Sequence, residues 1–273
     1  MGEQPDCPLS NTASELEQLR LKARVWELEA ETWLDLLGPM PGWRCLDLGF
    51  GTLGLLGPLA RRVGPGGRVV GIDRDPLQLR GARDFVAGEG LANVEILEAD
   101  PYDCGTALPD GTFDLVHTRF LFTPAGRNAR LLDEMWRLSR PGGIIAIQEP
   151  DVAAWACYMP SGAWARLKAA ILEAFRRSGG EFDHGEKTLR MFQDQRVEEV
   201  RIRTALVALP PGHPYLQLPV QFATLLRDRI LEGSIMEAGE LDAAIAEYKW
   251  AAADPATAKL SFVVTQVWDR KLG

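Results

Sequence analysis

The sequence is poor in the residues from which metal sites and disulfide frameworks are built. Its 273 residues include four cysteines and three histidines, and the cysteines lie far apart, with no Cys-x-x-Cys pair and no histidine nearby. Zinc sites need closely spaced ligand pairs, and small disulfide-stapled domains need many regularly spaced cysteines. We therefore predict unlinked thiols and no bound metal.

Long apolar runs and clusters of basic residues are also lacking. No window approaches the roughly 18 uncharged apolar residues that a membrane helix needs, and no basic segment precedes an apolar one as in a signal peptide. Acidic residues outnumber lysine and arginine by 38 to 30, which gives a formal net charge of −8. Binding to a phosphate backbone needs clustered basic side chains. We expect a cytoplasmic protein without a membrane or nucleic-acid partner.

Short apolar strands alternate with helices over the first 151 residues. Residues 1–13 contain two prolines and no periodicity, and we predict them to be disordered or extended. Apolar spacing and glycine or proline stops predict strands at 43–48, 68–72, 94–97, 112–117 and 144–148, and helices at 14–37, 55–63, 76–89 and 128–138. This alternation is typical of a parallel sheet with helices on both faces.

The pattern changes after Pro150. Helical spacing predominates there, interrupted by one alternating strand and followed by a final one. The predicted helices are 162–177, 186–195, 215–232 and 237–251, and the predicted strands are 197–208 and 260–269. We predict a single domain over residues 14–273 with a helical insertion before its final strand.

The most informative motif is a glycine-rich turn between the first strand and the following helix, Gly49-Phe50-Gly51-Thr52-Leu53-Gly54. Glycines there permit a tight turn and let the backbone approach a ligand that lies over the helix N-terminus. The spacing G-x-G-x-x-G, with Asp73 about 20 residues later, is that of a dinucleotide-binding loop. On spacing alone, a nicotinamide-dependent oxidoreductase stays open.

Residues 43–151 resemble the class I, Rossmann-like S-adenosylmethionine-dependent methyltransferase family of small-molecule type, through four motifs in the family's order. The first motif is an acidic residue before the glycine turn, Asp47-Leu48-Gly49-Phe50-Gly51, and the second is an acidic residue that closes the second strand, Gly71-Ile72-Asp73. The third is an acidic residue after the third strand, Glu98-Ala99-Asp100, and the fourth is the fourth strand itself, 113–119. Leu53 stands where the family has its third glycine, and Gly54 follows it.

The resemblance implies a cofactor, S-adenosyl-L-methionine, and a set of residues that bind it. In the family, the residue matching Asp73 binds the ribose hydroxyls and the residue matching Asp100 accepts a hydrogen bond from the adenine amino group. Thr118 and Arg119 would lie near the methionine part. The full implied set is Asp47, Gly49, Gly51, Gly54, Asp73, Arg74, Asp100, Pro101, Thr118 and Arg119.

The resemblance also implies the architecture. We expect an α/β fold with a doubly wound, mostly parallel seven-stranded sheet, an antiparallel last strand, an N-terminal helix and a helical insertion before the final strand. The parts of the domain would be a cofactor-binding half at 14–151, substrate-side helices and strand at 152–259, and the final strand at 260–273.

The implied activity is methyl transfer to a small-molecule acceptor, of specialised-metabolite type, by in-line displacement that depends mainly on positioning. Three side chains are candidate general bases, each with a structural alternative. His117 could instead be a buried hydrogen-bonded histidine, Glu149 could pair with an arginine such as Arg119, and His213 could belong to a structural hinge. The candidate substrate contacts are Trp155, Tyr158 and Tyr215.

Two other functions stay open at this point. The first is a methyltransferase-fold protein that catalyses a different reaction, such as a cyclisation, or only binds a metabolite. The second rests on the glycine spacing alone and is an NAD-dependent oxidoreductase. The partner we expect is a small molecule, and a homodimer stays open.

Overall fold

A computed structural model describes most of the chain, namely residues 25–51, 53–122, 127–152, 154–158, 161–180, 182–193 and 199–272. Its strands are β1 (Arg44–Leu48), β2 (Arg68–Asp73), β3 (Val94–Glu98), β4 (Phe113–Arg119), β5 (Ser139–Asp151), β6 (Cys157–Tyr158), β7 (Arg201–Ala205), β8 (Ala208–Leu209), β9 (Ala258–Leu260) and β10 (Val263–Arg270). Seven of them form one sheet in the order β3-β2-β1-β4-β5-β10-β7.

The sheet is parallel except at one strand. β1 to β5 pair in parallel, whereas β10 lies between β5 and β7 and is antiparallel to both. The prediction of a mostly parallel seven-stranded sheet with an antiparallel last strand is confirmed. The strand order reverses between β1 and β4, so a crevice opens outside the carboxyl ends of these two strands, where doubly wound sheets bind ligands.

Helices cover both faces of this sheet. The described helices are α1 (Glu27–Leu37), α2 (Leu56–Val63), α3 (Pro76–Gly88), α4 (Asn128–Leu138), α5 (Gly162–Arg177), α6 (His184–Gln193), α7 (Leu218–Leu225), α8 (Arg227–Glu232) and α9 (Ala238–Ala253). The apolar sides of α1, α2 and α3 share one core cluster with Cys45, Val69 and Leu115 of the sheet. α4 and Phe192 of α6 share the cluster on the opposite face with Leu46.

Local signals explain where individual elements begin and bend. The Asp75 side chain accepts a hydrogen bond of 2.8 Å from the Leu77 N–H, and Pro76 occupies the first turn of α3, so this helix starts where predicted. In β2, Gly71 leaves room for Phe50, because a Cβ at Gly71 would lie 2.9 Å from Cδ1 of Phe50. The phenylalanine of the glycine turn therefore packs into the core, with 4% of its surface exposed.

A third layer follows β5 and carries its own core. α5, α7, α8 and α9 contribute to an aromatic-rich cluster that includes Trp155, Trp164 and Phe222. β6, β9 and β8 form a separate three-stranded sheet beside it. No helix in the ranges given above combines the length and apolar character needed to cross a membrane.

Two predicted strands prove to be split. The segment 197–208 is divided into β7 and β8, and the segment 260–269 belongs to β9 and β10, so both pass from the main sheet to the small one. The two crossings are held together by hydrogen bonds between Val207 and Ser261, 2.9 Å for Ser261 N–H to the Val207 carbonyl and 3.0 Å for Val207 N–H to Ser261 Oγ. The prediction of continuous strands was wrong because this bend depends on a contact between distant segments.

The predicted helix 215–232 is also divided. A 3-10 turn at Pro214–Gln217 leads into α7, and Leu226 interrupts the helix before α8. Several predictions fall on residues outside the described ranges: the disordered or extended N-terminus at 1–13, the helix start at 14–24, and the parts of predicted elements at 194–195 and 197–198. The division of the domain into functional parts stays a prediction.

Candidate active site at the carboxyl edge of the sheet

The glycine turn after β1 depends on left-handed backbone conformations. Gly49, Gly51 and Gly54 have φ values of +64°, +59° and +49°. A Cβ at Gly54 would lie only 2.1 Å from Oδ2 of Asp47, and the same oxygen accepts a hydrogen bond of 2.7 Å from the Leu55 N–H. Asp47, with 1% of its surface exposed, therefore holds the start of α2, and Gly54 is the residue that makes room for it.

Asp73 closes β2 beside this turn. Its Oδ2 accepts a hydrogen bond of 3.0 Å from the Gly51 N–H, and its Oδ1 accepts one of 3.0 Å from the Asp75 N–H. Burial raises the pKa of this carboxyl to about 6, against the opposing effect of its backbone hydrogen bonds. The next residue, Arg74, is exposed. Gly51 and Asp73 thus meet, although 22 positions separate them in the sequence.

Asp100 follows β3 at the same edge of the sheet. One oxygen accepts a hydrogen bond of 3.1 Å from the Tyr102 N–H, and the other lies 3.2 Å from Nη1 of Arg127. The Arg127 guanidinium also lies 4.0 Å from the centre of the Tyr102 ring. The intervening Pro101 is buried. A ligand that hydrogen-bonds to Asp100 would therefore meet a carboxylate already oriented by an arginine.

The end of β4 completes the edge. Thr118 Oγ1 donates a hydrogen bond of 2.9 Å to the Leu48 carbonyl, which ties β4 to β1. Phe120, directly after the strand, has a φ of +60°, a conformation that bulky side chains rarely adopt and that occurs at functional sites. Between them lies Arg119, whose pKa is lowered by burial, with Asp47 and Tyr215 opposing the shift. Its guanidinium is 5.7 Å from the centre of the Phe120 ring.

His117, one of the candidate bases, is fully buried beneath this edge. Its Nδ1 lies 2.7 Å from Oδ1 of Asp47 and its Nε2 lies 3.1 Å from Nε2 of Gln148. Because an amide nitrogen can only donate, Nε2 of His117 accepts and the ring hydrogen lies on Nδ1. His117 therefore donates to Asp47. Both ring nitrogens are engaged, and the geometry favours a role in positioning Asp47.

The hydrogen bonds continue from Gln148 to the edge of the sheet. Gln266 Nε2 donates to Gln148 Oε1 at 3.1 Å, and Arg203 Nη1 donates to Gln266 Oε1 at 2.7 Å. Arg203 also forms an ion pair of 2.7 Å with Glu29 of α1. This polar chain crosses β1, β4, β5, β10 and β7 and links the glycine turn to the first described helix. From Arg203 to Asp47 the donor–acceptor direction is the same at each step, and Arg203 donates in the other direction to Glu29.

The other two candidate bases also have structural hydrogen bonds. Glu149 is fully buried, and its Oε1 accepts from the N–H groups of Leu121 and Phe122 at 2.8 and 3.0 Å, which shapes the segment after β4. His213 Nδ1 accepts a bond of 3.1 Å from the Tyr215 N–H, so the ring hydrogen of the neutral imidazole lies on Nε2. Burial lowers the pKa of His213 and favours this neutral form.

The predicted substrate contacts lie on the side of the aromatic cluster. Trp155 has 3% of its surface exposed and packs edge-on against Trp164 and Phe262, with ring centres 5.0 and 6.3 Å apart. Tyr215 is likewise buried, with 2% exposed. The side chain of Tyr158 lies outside the described part of the structure. Their contact with a substrate stays a prediction.

Sequence reasoning missed several residues that the structure brings to this region. Arg127 pairs with Asp100 from a distant loop, and a single arginine before a helix gives no signal of that pairing. Gln148 and Gln266 extend the polar chain, which becomes visible only once the strand register is known. Trp26 is a further such residue: its ring stacks on Phe262 at 5.8 Å, and its indole N–H lies next to the Tyr215 hydroxyl.

The described residues show neither a metal-binding cluster nor a disulfide. No group of three or more histidine, cysteine, aspartate or glutamate side chains in these ranges is arranged to hold a metal ion. Cys45 and Cys104 are buried, and burial raises the pKa of both thiols, that of Cys104 to about 12.

Known proteins resemble this chain in sequence. Nocamycin O-methyltransferase of Saccharothrix syringae is 37% identical over 134 residues, which cover 46% of this chain and 46% of that protein. A ubiquinone/menaquinone biosynthesis C-methyltransferase of Hydrogenovibrio crunogenus is 36% identical over 129 residues, 46% of this chain and 48% of that protein. The chain thus spans about half the length of these curated relatives.

The fold and a family model agree with these relatives. Phosphoethanolamine N-methyltransferase 2 of Haemonchus contortus, solved with phosphomonomethylethanolamine and S-adenosylhomocysteine, superposes with a TM-score of 0.59 over 94% of this chain and 58% of that chain. At 15% identity this shows a shared fold. A family model described as a methyltransferase domain matches residues 40–195, more than half of the chain. The chain therefore belongs to the methyltransferase domain family.

Proposed function

We propose that this protein transfers a methyl group from S-adenosylmethionine to a small-molecule acceptor. The observation that carries the proposal is the junction of Gly51 and Asp73, where a backbone N–H of the glycine turn meets a buried carboxylate at the carboxyl edge of the sheet. Together with Asp100 and its partner Arg127, this junction supports the cofactor site that the family membership implies.

The residues present fit the adenosyl part of such a cofactor. Apart from the chain neighbours of Gly51, no described residue places an atom within 4 Å of the position that a Cβ would take there, so this backbone is open to a ligand as far as the described residues go. Asp73 would accept hydrogen bonds from the two ribose hydroxyls, since carboxylates are acceptors when ionised. With a pKa of about 6, this carboxyl is mostly ionised at neutral pH. Asp100 would accept from the adenine amino group.

When bound, S-adenosylmethionine supplies a methyl group on a sulfonium, which reacts by in-line displacement. The protein then mainly has to align the acceptor and exclude water, and such positioning can contribute roughly 7–11 kcal/mol. Asp47, buried and held by His117, orients the glycine turn, and Glu149 shapes the segment after β4. None of these roles requires a proton to leave the acceptor through the protein.

Binding of S-adenosylhomocysteine tests this proposal. We expect the wild-type protein to bind it in isothermal titration calorimetry and to melt at a higher temperature in its presence. Asp73→Asn should weaken binding by about tenfold or more, because a charge-assisted hydrogen bond contributes roughly 1.5–3 kcal/mol. Asp84→Asn, on the exposed side of α3, is the matched control and should bind normally. Absence of binding by the wild-type protein at millimolar ligand would contradict the proposal.

The acceptor type and the assembly are the finer parts of the proposal. A specialised-metabolite acceptor is supported by the resemblance to nocamycin O-methyltransferase, and that relative's name also favours oxygen as the accepting atom. The C-methyltransferase relative is the competing precedent. A cytoplasmic location, a homodimer and the absence of a nucleic-acid partner stay predictions. Light scattering coupled to size-exclusion chromatography measures the oligomeric state.

A further inference from the structure

Three side chains beside the end of β4 carry hydrogen-bond donors that the described residues do not fully satisfy. The indole Nε1 of Trp26 and the hydroxyl of Tyr215 are buried and interact with each other, and neither has a further hydrogen-bond partner among the described residues. Arg119 forms no ion pair or hydrogen bond within the described ranges, and its guanidinium instead faces the ring of Phe120. Buried polar groups of native proteins are nearly always satisfied, so this group of under-satisfied donors needs an explanation.

These donors are neighbours in one wall of the site. Arg119 and Tyr215 are close enough for each to shift the pKa of the other, and Trp26 lies next to the Tyr215 hydroxyl. Phe262 joins them, because its ring stacks on Trp26 at 5.8 Å and meets Phe120 edge-on at 5.8 Å. The wall therefore combines a half-buried guanidinium with two buried donor groups in an aromatic surround.

The charge of this wall is unbalanced. The carboxylate that acts on Arg119 is Asp47, and both its oxygens are already engaged, one by His117 and one by the Leu55 N–H. A cofactor with a sulfonium would bring a second positive charge to the same edge of the sheet. An anionic oxygen is the group that would satisfy the donors and balance both charges.

The hydrogen bonds of the candidate bases also favour an anionic acceptor. His117 and His213 each use the nitrogen that could accept a proton for a structural hydrogen bond, and Glu149 uses Oε1 to hold two backbone N–H groups. A weakly acidic acceptor would need a base to remove its proton. An acceptor that arrives already ionised needs none.

We propose, on the basis of the methyl transfer proposed above, that the acceptor is an oxygen acid ionised at neutral pH on a flat apolar body, bound through its anionic group by Arg119, Tyr215 and Trp26. An oxygen of this group forms the new bond to the methyl carbon while the carbon–sulfur bond breaks, and the bonding electron pair stays on sulfur. The product is neutral at that oxygen, so it loses its charge pairing with Arg119, and this favours its release.

Matched acids and amides test the charge preference. The probes are a panel of flat aromatic acids, such as 2-naphthoate and salicylate, each paired with its neutral amide, titrated into protein saturated with S-adenosylhomocysteine. We expect wild-type protein to bind the acids about tenfold or more tightly than the amides, the range of a charge-assisted hydrogen bond. Arg119→Gln should abolish the preference, and Arg119→Lys should keep part of it. Equal binding of acid and amide, or no binding of any acid in the panel, overturns the proposal.

The variants also separate an acceptor from the cofactor's own carboxylate. S-adenosylhomocysteine carries an amino-acid carboxylate, and 5′-methylthioadenosine does not. If Arg119 binds the acceptor, Arg119→Gln should bind both nucleosides as the wild type does. A loss of about tenfold for S-adenosylhomocysteine alone would assign Arg119 to the cofactor and overturn the inference. Arg80→Gln, at an exposed site of α3, is the matched control.

Separate measurements test the folding of the variants and the proposed methyl transfer. Arg119→Gln removes a partly buried cation without a described partner, so we expect it to melt no lower than the wild type. Tyr215→Phe should lower acid binding a few-fold and leave amide binding unchanged. A wild-type protein that fails to bind S-adenosylhomocysteine would contradict the proposed methyl transfer. A protein that binds it yet shows no acid preference would contradict this inference alone.

Discussion

Lys259 in β9 allows a quantitative test of burial energetics in the third layer. It has 2% of its surface exposed, and its Nζ has no hydrogen-bond partner among the described residues. The ammonium instead lies 3.6 Å from the ring centre of Tyr248 and 4.8 Å from that of Trp164. Burial lowers the pKa of Lys259 from 10.5 to about 8.

The lowered pKa of Lys259 gives the free-energy cost of burying its charge. A fall from 10.5 to about 8 corresponds to roughly 3 kcal/mol lost from the free energy of unfolding while the folded-state amine is charged. The two aromatic rings recover about 1–2 kcal/mol of this through cation–π attraction. Lys259→Met keeps the length of the side chain and removes the charge. We therefore expect Lys259→Met to raise the free energy of unfolding by about 1–2 kcal/mol at neutral pH.

The contribution of Lys259 to the free energy of unfolding depends on pH with a definite sign. Between pH 8 and 10.5 the folded state binds fewer protons at Lys259 than the unfolded state does, so stability rises with pH in this window. The penalty is complete below about pH 8 and absent above the unfolded-state pKa of 10.5. The advantage of Lys259→Met should therefore shrink as the pH rises through the window.

Urea unfolding of wild type and variant at pH 7 and at pH 10 measures this difference. Burial raises the pKa of Cys157 and Lys259 opposes this shift, so both proteins carry Cys157→Ser, and the contributions of the remaining groups cancel in the comparison. Lys249→Met, on the exposed side of α9, controls for the loss of a surface lysine and should show no such pH-dependent gain. A Lys259→Met protein less stable than the wild type at pH 7, or one whose advantage does not change with pH, would refute the reasoning.

Three further predictions concern the glycine turn. Protonation of Asp73 below its pKa of about 6 should raise the Kd for S-adenosylhomocysteine, by up to about tenfold per pH unit. Calorimetry should find that the Kd of Asp73→Asn depends less on pH than that of the wild type. A wild-type Kd that does not change at acidic pH contradicts this prediction. Gly54→Ala places a Cβ 2.1 Å from Asp47 Oδ2 and should lower the free energy of unfolding by about 1–3 kcal/mol in urea, whereas Gly81→Ala, with open space around it, should not. His117→Phe leaves the buried Asp47 without its donor, so we expect a lower melting temperature together with weaker S-adenosylhomocysteine binding; unchanged binding would speak for a role apart from positioning.

The main sheet was predictable because its signals are local. Each strand from β1 to β4 is a short apolar run ended by glycine, proline or a polar turn, and the helices between them repeat at helical spacing. The bends at Val207 and Ser261 were not predictable in this way. Both residues lie within continuous apolar patterns, and the change of sheet depends on their mutual hydrogen bonds across 54 positions.

The site was predictable to the extent that its residues belong to strand ends. Gly51, Asp73 and Asp100 follow short strands, and parallel strands bring their carboxyl ends to one edge. The partners of these residues come from elsewhere: Arg127 reaches Asp100 from a loop 27 positions away. The sequence also left His117 open between a base and a buried histidine, because its donor direction follows from Gln148 on the neighbouring strand.

The polar chain beneath the site has a consequence for distant substitutions. Arg203 can only donate and an ionised Asp47 can only accept, so the two ends dictate how both glutamine amides and the imidazole between them are turned. Four strand spacings, roughly 19 Å, separate these ends. Reversing the polarity at the far end, as an acidic residue at position 203 would, turns each amide over and moves the imidazole hydrogen to the opposite nitrogen. Asp47 would then face a lone pair, and a change at the edge strand β7 would loosen the glycine turn four strands away.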